Sequence, residues 1–100
     1  MSQILIAGAT GLIGRALLRE LGPEHRLTLL CRTPGDPAPH RTWLPVPFDA
    51  LNAVQLPHPI DLAFCCLGTT RREAGSAEAF RRVDLDHVLA FAALARRHGC

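Results

Sequence analysis

The sequence predicts an α/β fold built on a parallel sheet. Three observations carry that expectation. Short apolar runs recur with no polar alternation, as in strands buried on both faces. A stretch of helical periodicity follows the first run, and a glycine-rich turn joins the two. The chain has 100 residues, enough for one domain.

The elements follow in order. Gln3 to Ala7 (QILIA) predicts the first strand, ended by Gly8. From Leu12 the pattern turns helical: Ile13, Ala16, Leu17 and Leu21 share one side, with Arg15, Arg19 and Glu20 on the other. Gly22-Pro23 supplies the stop. Arg26 to Cys31 (RLTLLC) predicts the second strand. Between Thr33 and His40 stand Pro34, Gly35, Pro37 and Pro39, which exclude a helix interior. An irregular connection is therefore expected where a doubly wound sheet usually places a crossover helix. Thr42 to Phe48 predicts a third strand, demoted to an edge by Pro45 and Pro47, and Asp49 to Gln55 one or two helical turns. Leu62 to Leu67 (LAFCCL) predicts a fourth strand, apolar on both faces. Ser76 is a plausible cap for a long helix from Ala77 to about His98, with a stripe of Phe80, Val83, His87, Phe91 and Leu94.

Right-handed crossovers give these four strands the order 3-2-1-4. A fifth strand would normally cover the outer edge of the fourth, and Cys100 is reached before one could form. The expectation is a single domain, residues 1–100, truncated before strand five and open to self-association through its bare edge.

Composition narrows the function. Apolar residues are 48% of the chain and charged residues 20%, which suits a packed core rather than a disordered tail. A net charge of +2, with arginines scattered, gives no footprint for nucleic acid. Every basic residue besides histidine is arginine. Cys31, Cys65, Cys66 and Cys100 form no CxxC pair, and His25, His40, His58, His87 and His98 are dispersed, so no metal set is expected. No secretory signal or membrane-length apolar run is visible, and the cytoplasm is the expected location.

The chemistry concentrates at Gly8-Ala9-Thr10-Gly11-Leu12-Ile13-Gly14. Gly8 would end the strand in a tight turn, Gly11 would let the backbone approach a diphosphate, and Gly14 would pack the helix on the strand. The helix N-terminus offers free N–H groups and partial positive charge, and Thr10 adds a hydroxyl. No Gly-Lys-Ser/Thr follows, which excludes a Walker phosphate loop. The motif is that of a Rossmann-type, dinucleotide-binding domain.

The end of strand two selects the cofactor. An NAD site usually carries an acid there for the ribose 2′-hydroxyl, whereas this chain has Cys31-Arg32-Thr33 and no acid from Arg26 to Gly35. A guanidinium can clamp a 2′-phosphate with charge-assisted bonds, so NADP(H) is expected over NAD(H). Asp49 is a candidate for the adenine amino group or for capping the turn that follows. Gly68 and Thr69, beyond Leu67, are candidates for the cofactor ribose, while Arg71 and Arg72 read as a solvated pair. Asp84 and Asp86 sit two apart on one helix and do not face each other, so no acid–base pair is evident.

Gly-Ala-Thr-Gly-Leu-Ile-Gly at 8–14, Cys-Cys-Leu-Gly-Thr-Thr-Arg at 65–71 and Ala-Gly-Ser-Ala-Glu-Ala-Phe-Arg-Arg-Val-Asp at 74–84 resemble atypical short-chain dehydrogenases/reductases. The similarity is greatest to the Tat-interacting-protein oxidoreductase branch and covers essentially the whole chain. It implies NADPH contacts from Thr10, Gly11, Leu12 and Ile13, from Arg32 at the 2′-phosphate and from Leu67 near the ribose. Where relatives place a second Arg after Arg32 this chain has Thr33, which thins the clamp. The family's catalytic Ser, Tyr and Lys would follow strand five, and this chain holds no Tyr and no Lys. The resemblance therefore implies the NADP(H)-binding half of an oxidoreductase, without catalytic residues of its own. The alternative is a non-catalytic NADPH-sensing regulatory module.

Overall fold

The computed structural model describes residues 2–67, 76–78 and 82–100, with side chains in the last segment from 85 onward. Four parallel strands, β1 (Gln3–Ala7), β2 (Arg26–Cys31), β3 (Arg41–Pro45) and β4 (Leu62–Cys65), form one sheet in the order β3-β2-β1-β4. That is the expected order, with β1 at the centre, where its carboxyl end meets both halves of the sheet.

Both faces of β1 are covered because its side chains are apolar without exception from Ile4 to Ala7. Ile4 and Ile6 point to one side with Leu27, Leu29 and Ala9, under Leu18 of helix α1 (Leu12–Glu20). Leu5 and Ala7 point to the other with Leu30, under Leu51, Phe91, Leu94 and Ala95. The second layer comprises a 3-10 segment, Phe48–Ala53, and helix α2 (Val88–Arg97), which continues a π-helical turn at Arg82–His87. This alternation is what an uninterrupted apolar strand requires.

Two hydrogen bonds and a histidine fix α2 to the layer below. Ile60 N–H donates to the His98 carbonyl at 2.8 Å, and Arg97 reaches the Leu51 carbonyl at 3.2 Å. His98 accepts the Leu56 N–H on Nε2 at 3.1 Å, which leaves Nδ1 to donate to the Leu94 carbonyl at 3.0 Å. Both ring nitrogens are thus used, as a half-buried imidazole demands.

The connection from β2 to β3 contains no helix, as its prolines require. Trp43 holds it instead. Its indole N–H donates to the Asp36 carbonyl at 2.9 Å, and its ring lies so close to Gly35 that a Cβ there would collide with it. An aromatic side chain from the edge strand occupies ground that a crossover helix would otherwise cover.

Several boundaries differ from expectation. β3 begins at Arg41 and ends at Pro45, because from Val46 the chain turns toward the 3-10 segment; Val46 N–H still donates to the Cys31 carbonyl at 2.9 Å. β4 stops at Cys65, although Cys66 N–H donates to the Ala7 carbonyl at 2.8 Å. Its side chains are less buried than its sequence suggested, with Leu62 at 48% exposure, since no strand pairs with its outer edge among the described residues. In α1, Leu18 and Gly14 are buried, while Ile13, placed in the apolar stripe, is 72% exposed. The helix begins at the end of the sheet, so its first turn projects past the core. Of the stripe expected on the long helix, Phe91 and Leu94 are buried, His87 is half-buried, and Phe80 and Val83 lie outside the described side chains.

Candidate functional site

The site sits where β1, β2 and β4 all end. Gly8 leaves β1 with φ at +82°, a conformation that L side chains rarely adopt. A Cβ there would also lie 2.6 Å from the Cys66 carbonyl carbon, so the turn and the chain leaving β4 touch backbone to backbone. Gly14 packs in turn on the Gly8 carbonyl and the Ala9 Cα, which brings the first turn of α1 down onto the β1 terminus. Gly11 is different. Its φ of −77° suits any residue, and a Cβ would meet only the Gly8 carbonyl, at 3.5 Å. Nothing in the protein demands glycine at Gly11, and what it preserves is open space outside the turn.

Gly11 is also the N-cap of α1. It has no side chain to cap the helix, and the first turn holds no acid. The leading N–H groups of any helix lack intrahelical partners and carry partial positive charge. Gly11 N–H is used within the turn, donating to the Gly8 carbonyl at 3.2 Å, and Arg15 N–H closes the first helical turn on the Gly11 carbonyl at 2.9 Å.

A concavity of about 490 Å³ opens over this turn. Six of the residues singled out from the sequence line it: Gly8, Thr10, Gly11, Arg32, Thr33 and Leu67. They arrive from three separate segments, the β1–α1 turn, the end of β2 and the end of β4. Its volume is that of a small-molecule cleft, and it lies at the carboxyl ends of the strands, beside the point where strand order reverses.

Other expected residues stand elsewhere. Leu12 and Ile13 are exposed, at 78% and 72%, on the first turn of α1, and Gly14 is buried beneath the turn rather than lining the cleft. Asp49 is not among the lining residues; its carboxylate pairs with His87 Nε2 at 2.8 Å, and Pro47, not Asp49, holds the cap position of the 3-10 segment. His87 in turn packs on Phe48, with ring centroids 6.0 Å apart. Gly68 and Thr69, with Thr70, Arg71 and Arg72, lie outside the described residues.

Phe48 and Cys66 also line the cleft, and the sequence reading had given neither a part in it. Cys66 directly follows β4 and Phe48 opens the 3-10 segment beyond β3, whereas the sequence reading had put both inside strands that extend too far. Burial pushes the Cys66 thiol above its ordinary range, and the neighbouring Cys65 adds to the effect. Burial does the same to Cys31. Both thiols are therefore protonated and neutral near pH 7, so neither places negative charge beside the helix start. Arg32 is exposed at the rim. Positive charge at one end, bare amides at the other and neutral groups between make a surface suited to an anionic ligand.

Among the described residues no group of three or more His, Cys, Asp or Glu could hold a metal ion, and no helix is long and apolar enough to cross a membrane.

No family model matches the chain. Relatives do. Protein HTATIP2 of Rattus norvegicus is 62% identical over 40 residues, 40% of this chain and 16% of that protein. The mitochondrial protein FMP52 of Eremothecium gossypii is 35% identical over 101 aligned positions, which take in 96% of this chain and 45% of the relative. The chain thus spans under half the length of the curated relatives it matches. Among solved structures, uronate dehydrogenase from Agrobacterium tumefaciens, in a mutant form complexed with NAD, superposes with a TM-score of 0.74 at 25% identity, over 99% of this chain and 38% of that one. A short chain dehydrogenase family protein from Francisella tularensis superposes with a TM-score of 0.75 at 12% identity, over 98% of this chain and 46% of that one, and shows the shared fold.

Proposed function

We propose, from the premise that this chain is an atypical short-chain dehydrogenase/reductase related to the Tat-interacting-protein oxidoreductases, that it binds a nicotinamide dinucleotide and prefers NADP(H). The observation that carries the reading is the bare N-cap at Gly11, opening into a cleft that Arg32 borders. The cofactor's diphosphate rests over the first amides of α1, and Thr10 donates its hydroxyl to it. Gly11 keeps the approach free of a Cβ. Arg32, assisted by Thr33, takes the ribose 2′-phosphate. Leu67 and Cys66 form the apolar floor toward the ribose and nicotinamide. Leu12 and Ile13, exposed on the first turn of α1, lie against the cofactor from the helix side. Asp49, positioned by His87, accepts the adenine amino group.

Bound dinucleotide supplies a hydride donor or acceptor. This chain's own residues bind and orient it; with no Tyr and no Lys, they provide no acid–base pair of the family kind. We therefore read residues 1–100 as the N-terminal part of a single NAD(P)-binding domain, whose redox chemistry is completed by groups outside it. The four free thiols suit a reducing compartment, such as the cytoplasm.

Calorimetry tests the cofactor assignment. NADPH is expected to bind the chain tightly and NADH at least about tenfold more weakly, the scale of one lost charge-assisted contact. Arg32→Ala should remove most of that difference, leaving NADH affinity as it was. Equal affinities in the parent chain would sink the role given to Arg32.

The outer edge of β4 supports a second expectation. Beside it runs an apolar groove of about 380 Å³ between β4 and α2, lined by Ala63, Val88, Phe91 and Ala95 among others. An unpaired strand next to apolar surface is a pairing site. The chain alone should self-associate as its concentration rises in sedimentation velocity runs. A monomer at the highest concentration reached would count against this.

A further inference from the structure

Parallel strands are joined by right-handed crossovers, so the connection from β2 to β3 should lay a helix beside α1, over the same face of the sheet. None forms there. Trp43, level with Leu29 and packed with it on that face, covers part of the ground. A concavity of about 440 Å³ remains between Trp43 and α1. Its floor is apolar, made by Ala9, Leu18 and the half-buried indole. Its rim is charged. Arg15 and Arg19 stand on α1, one helical turn apart, and Arg41 stands at the start of β3. Asp36, exposed, brings one carboxylate against these three guanidiniums. None of the three arginines has a side-chain hydrogen bond or ion pair among the described residues, and the Nε of Arg41 is sealed from solvent without an acceptor. A buried donor left unpaired is a cost that an incoming acceptor relieves.

We propose that this groove is a docking surface for an acidic amphipathic helix of a partner protein, which takes the place of the absent crossover helix. Width, floor and rim each support that occupant. Packed helices lie about 8–10 Å apart, so the ground left beside α1 is one helix wide. The apolar floor receives the apolar face of such a helix. The guanidiniums, planar and permanently charged, receive carboxylates from its flanks, and charge complementarity favours acid over base by three to one. Nucleic acid fits less well, since the chain's net charge is only +2 and Asp36 would repel a phosphate backbone. The surface is also separate from the cofactor cleft. Arg41 pairs in register with Leu27 at the start of β2, whereas Arg32 follows its far end, so the groove leads from Thr10 away from the proposed dinucleotide.

The groove carries its own probe, because Trp43 is the only tryptophan of the chain. The test titrates the full chain with a synthetic helical peptide that has leucine on one face and glutamate along its flanks. A lysine counterpart and a single-stranded oligonucleotide serve as comparison ligands. The acidic peptide should shift Trp43 emission saturably, and the lysine peptide should not. Arg19→Gln/Arg41→Gln should weaken the acidic peptide about tenfold, while Arg26→Gln/Arg96→Gln, which removes equal charge outside the groove, should leave its affinity unchanged. If the first double variant alters the unliganded emission spectrum, Arg19→Gln alone decides, since that position is exposed on α1. Several results would overturn the proposal: no response to the acidic peptide, an equal response to its lysine counterpart, or equal losses in both double variants. An oligonucleotide that binds as tightly as the acidic peptide would assign the arginines to nucleic acid instead. Competition between NADPH and the peptide would hand the groove to the cofactor, and so overturn it as well.

Discussion

Replacing Gly11 by Asp is expected to lower dinucleotide affinity about a hundredfold or more while leaving the fold as stable as before, or slightly more so. The two effects part because Gly11 has no structural reason to be glycine. Its φ of −77° and ψ of 176° are those of an ordinary N-cap, and the nearest atom to an added Cβ is the Gly8 carbonyl oxygen at 3.5 Å. Asp is among the best N-cap residues. Its carboxylate would accept from the leading amides of α1 and complement the helix dipole, raising stability by up to a few tenths of a kcal/mol over glycine. The same carboxylate would then occupy the donors proposed for the diphosphate and set a negative charge against it. Gly11→Ala is the control, since it narrows the approach without adding charge and should weaken binding far less. Thermal unfolding and calorimetry together check the pair. Parent-like affinity in Gly11→Asp would show that the anion does not rest on this helix.

Much of this architecture was legible because the strands are buried on both faces. Gln3–Ala7 and Arg26–Cys31 have the bounds read from sequence, since each is an apolar run closed by a turn former or charge. The parallel order followed from the alternation of strand and helix. Helix α1 was legible in extent but not in its packing face. Its apolar residues admit more than one stripe, and only docking over Ile4 and Ile6 decides that Leu18 goes inward while Ile13 projects past the sheet. Strand four was read too long because its composition cannot tell which residues leave the ladder. Cys66 still bonds to β1, and then the chain departs.

The candidate site divides along the same line. Residues adjacent in sequence, such as Gly8 through Gly14, could be read from spacing alone. Pairings across the fold could not. Asp49 meets His87 from 38 positions away, at a contact that depends on where α2 docks on the 3-10 segment. Arg15 and Arg19 had the look of a solvated helix face, four residues apart. Arg41 joins them only through the register that places it beside Leu27, at the start of β3. Long-range geometry is what a single sequence withholds.

Gly8→Ala should be the most destabilising single change in the β1–α1 turn, by about 2–5 kcal/mol, and two other glycines show why. Gly99 also has positive φ, at +95°, but no atom lies within 4 Å of a Cβ built there. Gly99→Ala therefore bears only the conformational cost, about 1–2 kcal/mol. At Gly14 the reverse holds: the helical backbone tolerates any residue, and the collision with the Gly8 carbonyl and Ala9 is steric, with overpacking costs of about 1–3 kcal/mol. Gly8 combines both terms, and its steric partners are backbone atoms of Cys66 and Leu67 that cannot rotate away. Relief would require β1 and the chain beyond β4 to separate, opening the turn under the cleft. A domain of this size is stable by only about 5–15 kcal/mol, so the loss should be plain in a denaturation curve. Urea titrations of the three variants should rank Gly8→Ala below both others in midpoint. If Gly8→Ala matched Gly99→Ala, the backbone contact between the turn and Cys66 would not be holding the β1 and β4 ends together.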